Sequence, residues 1–189
     1  MSFIYPAGHP GVSDVLAHLC GRARQDRLPA AVALMSPQDR LSAILWSASL
    51  RGFPPYGGDD PVVSFTESRP GGLAYLIREK SWAPWGIVLD RDSVFALGGG
   101  PVWYVRGDMW DEVIASGLAS VRSWFVRLQP GESEWLHERE WRVPTERLEL
   151  STLRVRAVIV GDPHWTPETR TELCSAGVSE VPGPCRMLA

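Results

Sequence analysis

The sequence predicts one α+β domain, with helices leading and a mixed or mainly antiparallel sheet behind them. Residues 1–50 read as mainly helical, because apolar side chains recur there at helical spacing. From residue 62 onward, short runs rich in Val, Ile, Phe and Trp are punctuated by Gly and Pro, the signature of strands joined by tight turns. The 189 residues, 44% hydrophobic and 22% charged, suffice for one sizeable core and contain no linker-like stretch.

Val12 to Arg24 places Val12, Val15, Leu16 and Leu19 at helical spacing with Ser13 as a cap. Ser36-Pro37 opens a second helix, serine at N-cap and proline at N1, with Leu41, Ile44, Leu45 and Ala48 on one face. Arg51 to Pro61 is rich in turn residues and reads as a loop. Val62 to Glu67 reads as a strand, and Gly71 to Trp82 as a helix on Leu73, Leu76 and Ile77. Gly86 to Asp90 and Val102 to Arg106 read as strands, with a tight turn at Gly98-Gly99-Gly100-Pro101 between them. Trp110 to Val121 reads as a helix on Val113, Ile114, Leu118 and Val121. Trp124 to Leu128, His137 to Val143 and Arg154 to Val160 read as strands, the last with a nearly continuous apolar run. Thr166-Pro167-Glu168 starts a helix that ends at Gly177, and Val178 to Val181 completes the series as a short strand.

Several functions are excluded or disfavoured. A net charge of −3 gives no global basic field for non-specific nucleic-acid binding. Lys80 is the only lysine, and no G-x-x-x-x-G-K-[ST] phosphate loop exists. There is no G-x-S-x-G elbow. His137-Glu138 begins like a zinc-protease motif, but Trp141 stands where the second histidine belongs, and no metal is expected. Cys20, Cys174 and Cys185 form no C-x-x-C pair, and their odd number argues against a disulfide framework, so a reducing cytoplasm is the expected setting. The N-terminus lacks a signal-peptide pattern, and no apolar run approaches a membrane span.

The densest chemistry lies in Trp135-Leu136-His137-Glu138-Arg139-Glu140-Trp141-Arg142-Val143-Pro144. On a strand, Glu138, Glu140 and Arg142 share one face about 6.6 Å apart, while His137, Arg139, Trp141 and Val143 share the other. Two carboxylates so placed suit cleavage of a glycosidic bond. One stabilises the oxocarbenium-like sugar and the other orients or deprotonates an acceptor. Three plainer readings stand beside this: a solvated edge strand, a helical Glu138–Arg142 pair and a structural Glu140–Arg142 ion pair.

Val63-Ser64-Phe65-Thr66-Glu67, Trp85-Gly86-Ile87-Val88, Gly99-Gly100-Pro101-Val102-Trp103-Tyr104 and His137-Glu138-Arg139-Glu140-Trp141-Arg142-Val143 occur in that order. The ordered set, over roughly residues 40 to 165, resembles uncharacterised bacterial proteins related to abortive phage-infection proteins. More distantly it resembles ADP-ribosyltransferases. That resemblance implies a matching fold and a site for NAD, used as substrate, whose nicotinamide–ribose bond is cleaved. It makes Glu140 the catalytic glutamate on the ribose and Glu138 the residue that orients the acceptor. Ser64 and Thr66 become the serine-strand residues of the nicotinamide pocket, with Tyr104 beside them. Arg142 becomes a phosphate contact or a support for Glu140. The early Arg or His that contacts NAD in such enzymes has Arg51 as its candidate; His9 and His18 fall in poorly matched sequence. The acceptor is a macromolecule, nucleic acid or protein, with phage defence or toxicity as the setting. The alternatives are an NAD or nucleoside glycohydrolase, and a non-enzymatic module binding nucleic acid or protein, since Arg139 and Trp141 share a face that can stack on bases.

Overall fold

The structure, a computed structural model, describes residues 13–21, 28–55, 58–117, 119–132 and 134–165. Its centre is a six-stranded antiparallel sheet in the order β10-β4-β1-β3-β8-β5. The strands are β1 (Val15–Leu19), β3 (Val62–Thr66), β4 (Gly86–Asp90), β5 (Gly100–Pro101), β8 (Glu140–Pro144) and β10 (Val155–Ile159). Two small ribbons flank it: β2 (Ser49–Arg51) with β9 (Arg147–Glu149), antiparallel, and β6 (Trp103–Arg106) with β7 (Phe125–Leu128), parallel. The helices are α1 (Ala30–Ala33), α2 (Pro37–Ser47), α3 (Pro70–Glu79), α4 (Arg91–Ala96) and α5 (Gly107–Ala115). This is a mixed α+β fold with an antiparallel sheet.

The largest departure from the sequence expectation is at the start. Residues 15–19 form a strand, where a helix was expected over 12–24. β1 is central, paired to β4 from Val15↔Asp90 to Leu19↔Gly86. Leu16 and Cys20 bury into the core on one face, Ala17 and Leu19 on the other. A strand buried on both faces yields a continuous apolar run whose spacing also satisfies a helix.

Other elements follow their local chemistry. Ser36 caps α2 through a full capping box with Asp39, Pro37 sits at N1, and Leu41 and Leu45 bury. α2 and α4 cover one sheet face, where Leu16, Phe65, Trp141 and Val143 join Leu41, Leu45 and Val94. α3 covers part of the other face, setting Leu73 and Leu76 on Ala17, Leu19, Val88 and Ile159. Helix α4 was not expected; Asp90 caps it by accepting from Ser93 N–H at 3.2 Å. The glycine turn after α4 holds a residue at φ +84°, Gly98, but Gly100 and Pro101 then pair with Arg142 and Trp141 as strand β5. The expected helix from Thr166 and strand at 178–181 lie outside the described residues. Among the described residues, no helix is long and apolar enough to cross a membrane.

Candidate functional site

Strands β3 and β8 pair along their full length, from Val62↔Pro144 to Thr66↔Glu140. Ser64, Thr66, Glu140 and Arg142 therefore stand on one face, and Val63, Phe65, Trp141 and Val143 bury on the other. Strand β1 meets β3 in register at Ala17↔Thr66 alone. Where the two part, a cavity of about 500 Å³ opens, a size suited to a small-molecule ligand. Ser64, Thr66, Arg51, Glu138, Glu140 and Arg142 all line it. The structure thus gathers six of the seven site residues expected from the sequence around one cavity. The seventh, Tyr104, lies just behind: its hydroxyl accepts the Glu140 N–H at 3.1 Å and donates to Trp135 O at 3.4 Å.

The Glu140 carboxylate is held from two sides. Ser64 Oγ donates to Oε1 at 2.8 Å. Arg142 donates bidentately, Nε to Oε1 at 2.7 Å and Nη2 to Oε2 at 3.0 Å. The guanidinium is itself buried, and its Nη1 donates to the carbonyls of Ser123 and Phe125. Such a fork is a strong, geometrically specific pair. An ionised carboxylate offers about four acceptor directions, and these donors use three. Among the described residues, the second direction on Oε2 receives no further donor.

Glu138 departs from expectation. It does not continue the strand as the first member of a same-face pair. Leu136–Glu138 form a 3-10 turn, and Arg139 adopts the left-handed region at φ 45° before β8 begins at Glu140. The turn is pinned because the Thr66 hydroxyl donates to the Glu138 carbonyl. Glu67 fixes the other side of this bend, taking Arg139 Nη2 at 3.2 Å and Trp141 Nε1 at 3.3 Å. Thr66 therefore serves as a latch for the bend as well as a wall of the cavity. Glu138 reaches the cavity from the turn, not from the strand.

His18, which was not among the expected site residues, also stands at this site. Its ring lies edge-on to Phe65, and it lines the cavity. Its Nδ1 is 2.8 Å from Ser64 O. A carbonyl can only accept, so Nδ1 carries the proton and Nε2 presents a lone pair. Burial pulls its pKa below the usual histidine value, against the opposing effect of that carbonyl. Ser64 thus bonds His18 through its carbonyl and Glu140 through its hydroxyl. The missed signal was His18 in a run that suits a central strand as well as a helix.

Burial raises the Tyr104 phenol above its ordinary pKa; the Glu140 backbone bond opposes this, and the charges of Glu140 and Glu138 add to it. Cys20 also lines the cavity, but burial pushes its thiol up to about 12 despite the charge of Arg40, so it is no nucleophile at neutral pH. Among the described residues, no group of three His, Cys, Asp or Glu is placed to hold a metal ion. No protein-family model, no curated protein and no solved structure matches this chain.

Proposed function

We propose that the cavity is the active site of an ADP-ribosyltransferase-like enzyme, which cleaves the nicotinamide–ribose bond of NAD and passes ADP-ribose to a macromolecular acceptor. The observation that carries this reading is the Glu140 carboxylate, fixed by Ser64 and Arg142 on the cavity wall, with one acceptor direction that receives no donor among the described residues. That direction suits a ribose hydroxyl. Bonding there sets the carboxylate beside the sugar carbon that gains positive charge as nicotinamide leaves, where pre-set charge lowers the barrier.

Other residues take supporting roles in this reading. His18 offers Nε2 as an acceptor for a second hydroxyl, and Tyr104 holds the Glu140 backbone. Glu138, on a turn rather than a rigid strand, is the carboxylate that meets the acceptor nucleophile. The apolar part of the wall, including Val32, Ile44 and Phe53, excludes water from the reacting centre. The fold is in this reading ADP-ribosyltransferase-like, with the serine strand β3 and the glutamate strand β8 adjacent.

The test is incubation with NAD labelled in its adenylate part and a cell lysate. Label entering protein or nucleic acid, and lost in Glu140→Gln, supports transfer. Free ADP-ribose as the sole product points to water as acceptor. If no NAD is consumed at any protein concentration tried, the proposal fails.

A further inference from the structure

Arg127 stands in the middle of β7 and lines the same cavity as Glu140. It is half-buried, its Nε is sealed from solvent without a hydrogen-bond partner, and no ion pair reaches it among the described residues. Arginine is seldom buried without a partner, because a charge drawn out of water needs compensation. Every other guanidinium on the cavity wall is either matched or exposed. Arg142 is clamped to Glu140. Arg40 donates to the carbonyls of Val32 and Cys20. Arg51 is exposed, at the end of β2.

The charge on the wall leads the same way. Four guanidiniums, of Arg40, Arg51, Arg127 and Arg142, face two carboxylates, of Glu138 and Glu140. That leaves a formal excess of two positive charges within a chain of net charge −3. A concave, low-dielectric wall concentrates such a field on its contents. Gly107 lets Arg127 and Gln129 pack closely against the start of α5: a Cβ there would stand 2.6 Å from Gln129 Oε1 and 3.4 Å from Arg127 Nε.

We infer that Arg127 is a phosphoryl-recognition residue, and that the cavity's ligand carries a phosphate or diphosphate group that its guanidinium holds while the apolar wall takes the uncharged part. Two excess charges match a diphosphate or a phosphomonoester dianion better than a single carboxylate. A planar fork of N–H donors suits phosphate oxygens. The inference rests on this cavity being the ligand site of the proposed enzyme, but not on NAD being turned over there.

The test is calorimetric titration of the full chain with ADP, inorganic pyrophosphate and adenosine, on wild type, Arg127→Gln and Arg127→Lys. ADP and pyrophosphate should bind wild type and weaken with added salt. Arg127→Gln should weaken ADP about tenfold or more, Arg127→Lys less, and adenosine should bind both variants as it binds wild type. ADP binding unchanged in Arg127→Gln, or adenosine binding wild type as tightly as ADP, overturns the inference. Should Arg127→Gln fail to fold, the salt response and the Arg127→Lys titration decide alone. ADP binding through Arg127 without NAD consumption keeps this inference and removes the transferase. NAD consumption with an unchanged KM in Arg127→Gln does the reverse.

Discussion

Ser64 and Glu140 are diagonal neighbours on β3 and β8, not a register pair, yet the Ser64 hydroxyl reaches Oε1 of Glu140 at 2.8 Å. The register partner of Ser64 is Arg142, whose guanidinium folds back onto the same carboxylate. Arg142 can hold the carboxylate without the serine, so Ser64→Ala should leave stability within about 0.5–1.5 kcal/mol of wild type. In the proposed reaction, the freed oxygen loses its fixed direction. NAD consumption should fall about tenfold or more, because catalysis needs the charge in place before the reaction. Steady-state turnover beside a urea melt checks both halves. A loss of stability matching the loss of rate would make Ser64 merely structural.

The Glu140–Arg142 pair separates stability from chemistry. Arg142 is 4% exposed, and its partner's side chain 14%. Arg142→Met removes the cation and leaves a mostly buried carboxylate uncompensated, which should destabilise by about 3–5 kcal/mol. Adding Glu140→Gln removes that stranded charge, so the double variant should regain part of the loss. Glu140→Gln alone keeps an acceptor for the guanidinium and should fold, while losing turnover. A double-mutant cycle by denaturant melts gives the coupling directly. Additive effects would show that the pair contributes no coupling.

The two strands that frame the site were legible as strands, because Val63 to Thr66 and Trp141 to Val143 alternate between one core face and one polar face. The helix at Ser36-Pro37 was legible because its cap chemistry is local. Three things were not. β1 looked helical because burial on both faces hides the period of two. Glu138 looked like strand because nothing in Glu-x-Glu announces a left-handed residue; the bend at Arg139 is held by distant partners, Thr66 and Glu67. His18 and Arg127 could not be assigned to the site because their place depends on how β1 and β7 sit about the cavity, and neither strand carries a motif.

Ala48 closes α2 at φ 46°, ψ 36°, with its N–H bonded back to the carbonyls of Ile44 and Leu45. A Cβ in this region meets the following carbonyl, and glycine is the residue that avoids it. Ala48→Gly should therefore stabilise the protein by about 0.5–1 kcal/mol and raise its melting temperature, with turnover unchanged. The flanking residues pin the conformation: Leu150 N–H bonds Ala48 O at 2.8 Å, and Ser49 continues directly into β2. A melting temperature equal to or below wild type would show that the added freedom of the unfolded chain outweighs the relieved strain.

His18 gives the protein a pH dependence whose sign follows from its position. Burial lowers its folded pKa below the ordinary 6.5, so as pH falls the unfolded chain takes up the proton first. The contribution is fully present above about 6.5 and is lost as pH falls through the lowered folded value. Protonation is disfavoured because the ring lies edge-on to Phe65, and Nδ1, already committed to Ser64 O, leaves only Nε2 to accept the new charge. His18→Asn keeps a side-chain N–H for that carbonyl but does not titrate. Urea midpoints at about pH 7.5 and about pH 5 should fall more steeply for wild type than for His18→Asn. Asp90, whose pKa is lowered because Arg156, Arg154 and the Ser93 N–H outweigh the effect of its burial, loses its contribution only as pH falls further, below the ordinary carboxylate value of 3.8. The two groups thus act in different windows, and the difference between wild type and His18→Asn isolates the histidine. Parallel slopes would mean that His18 is not the group that titrates.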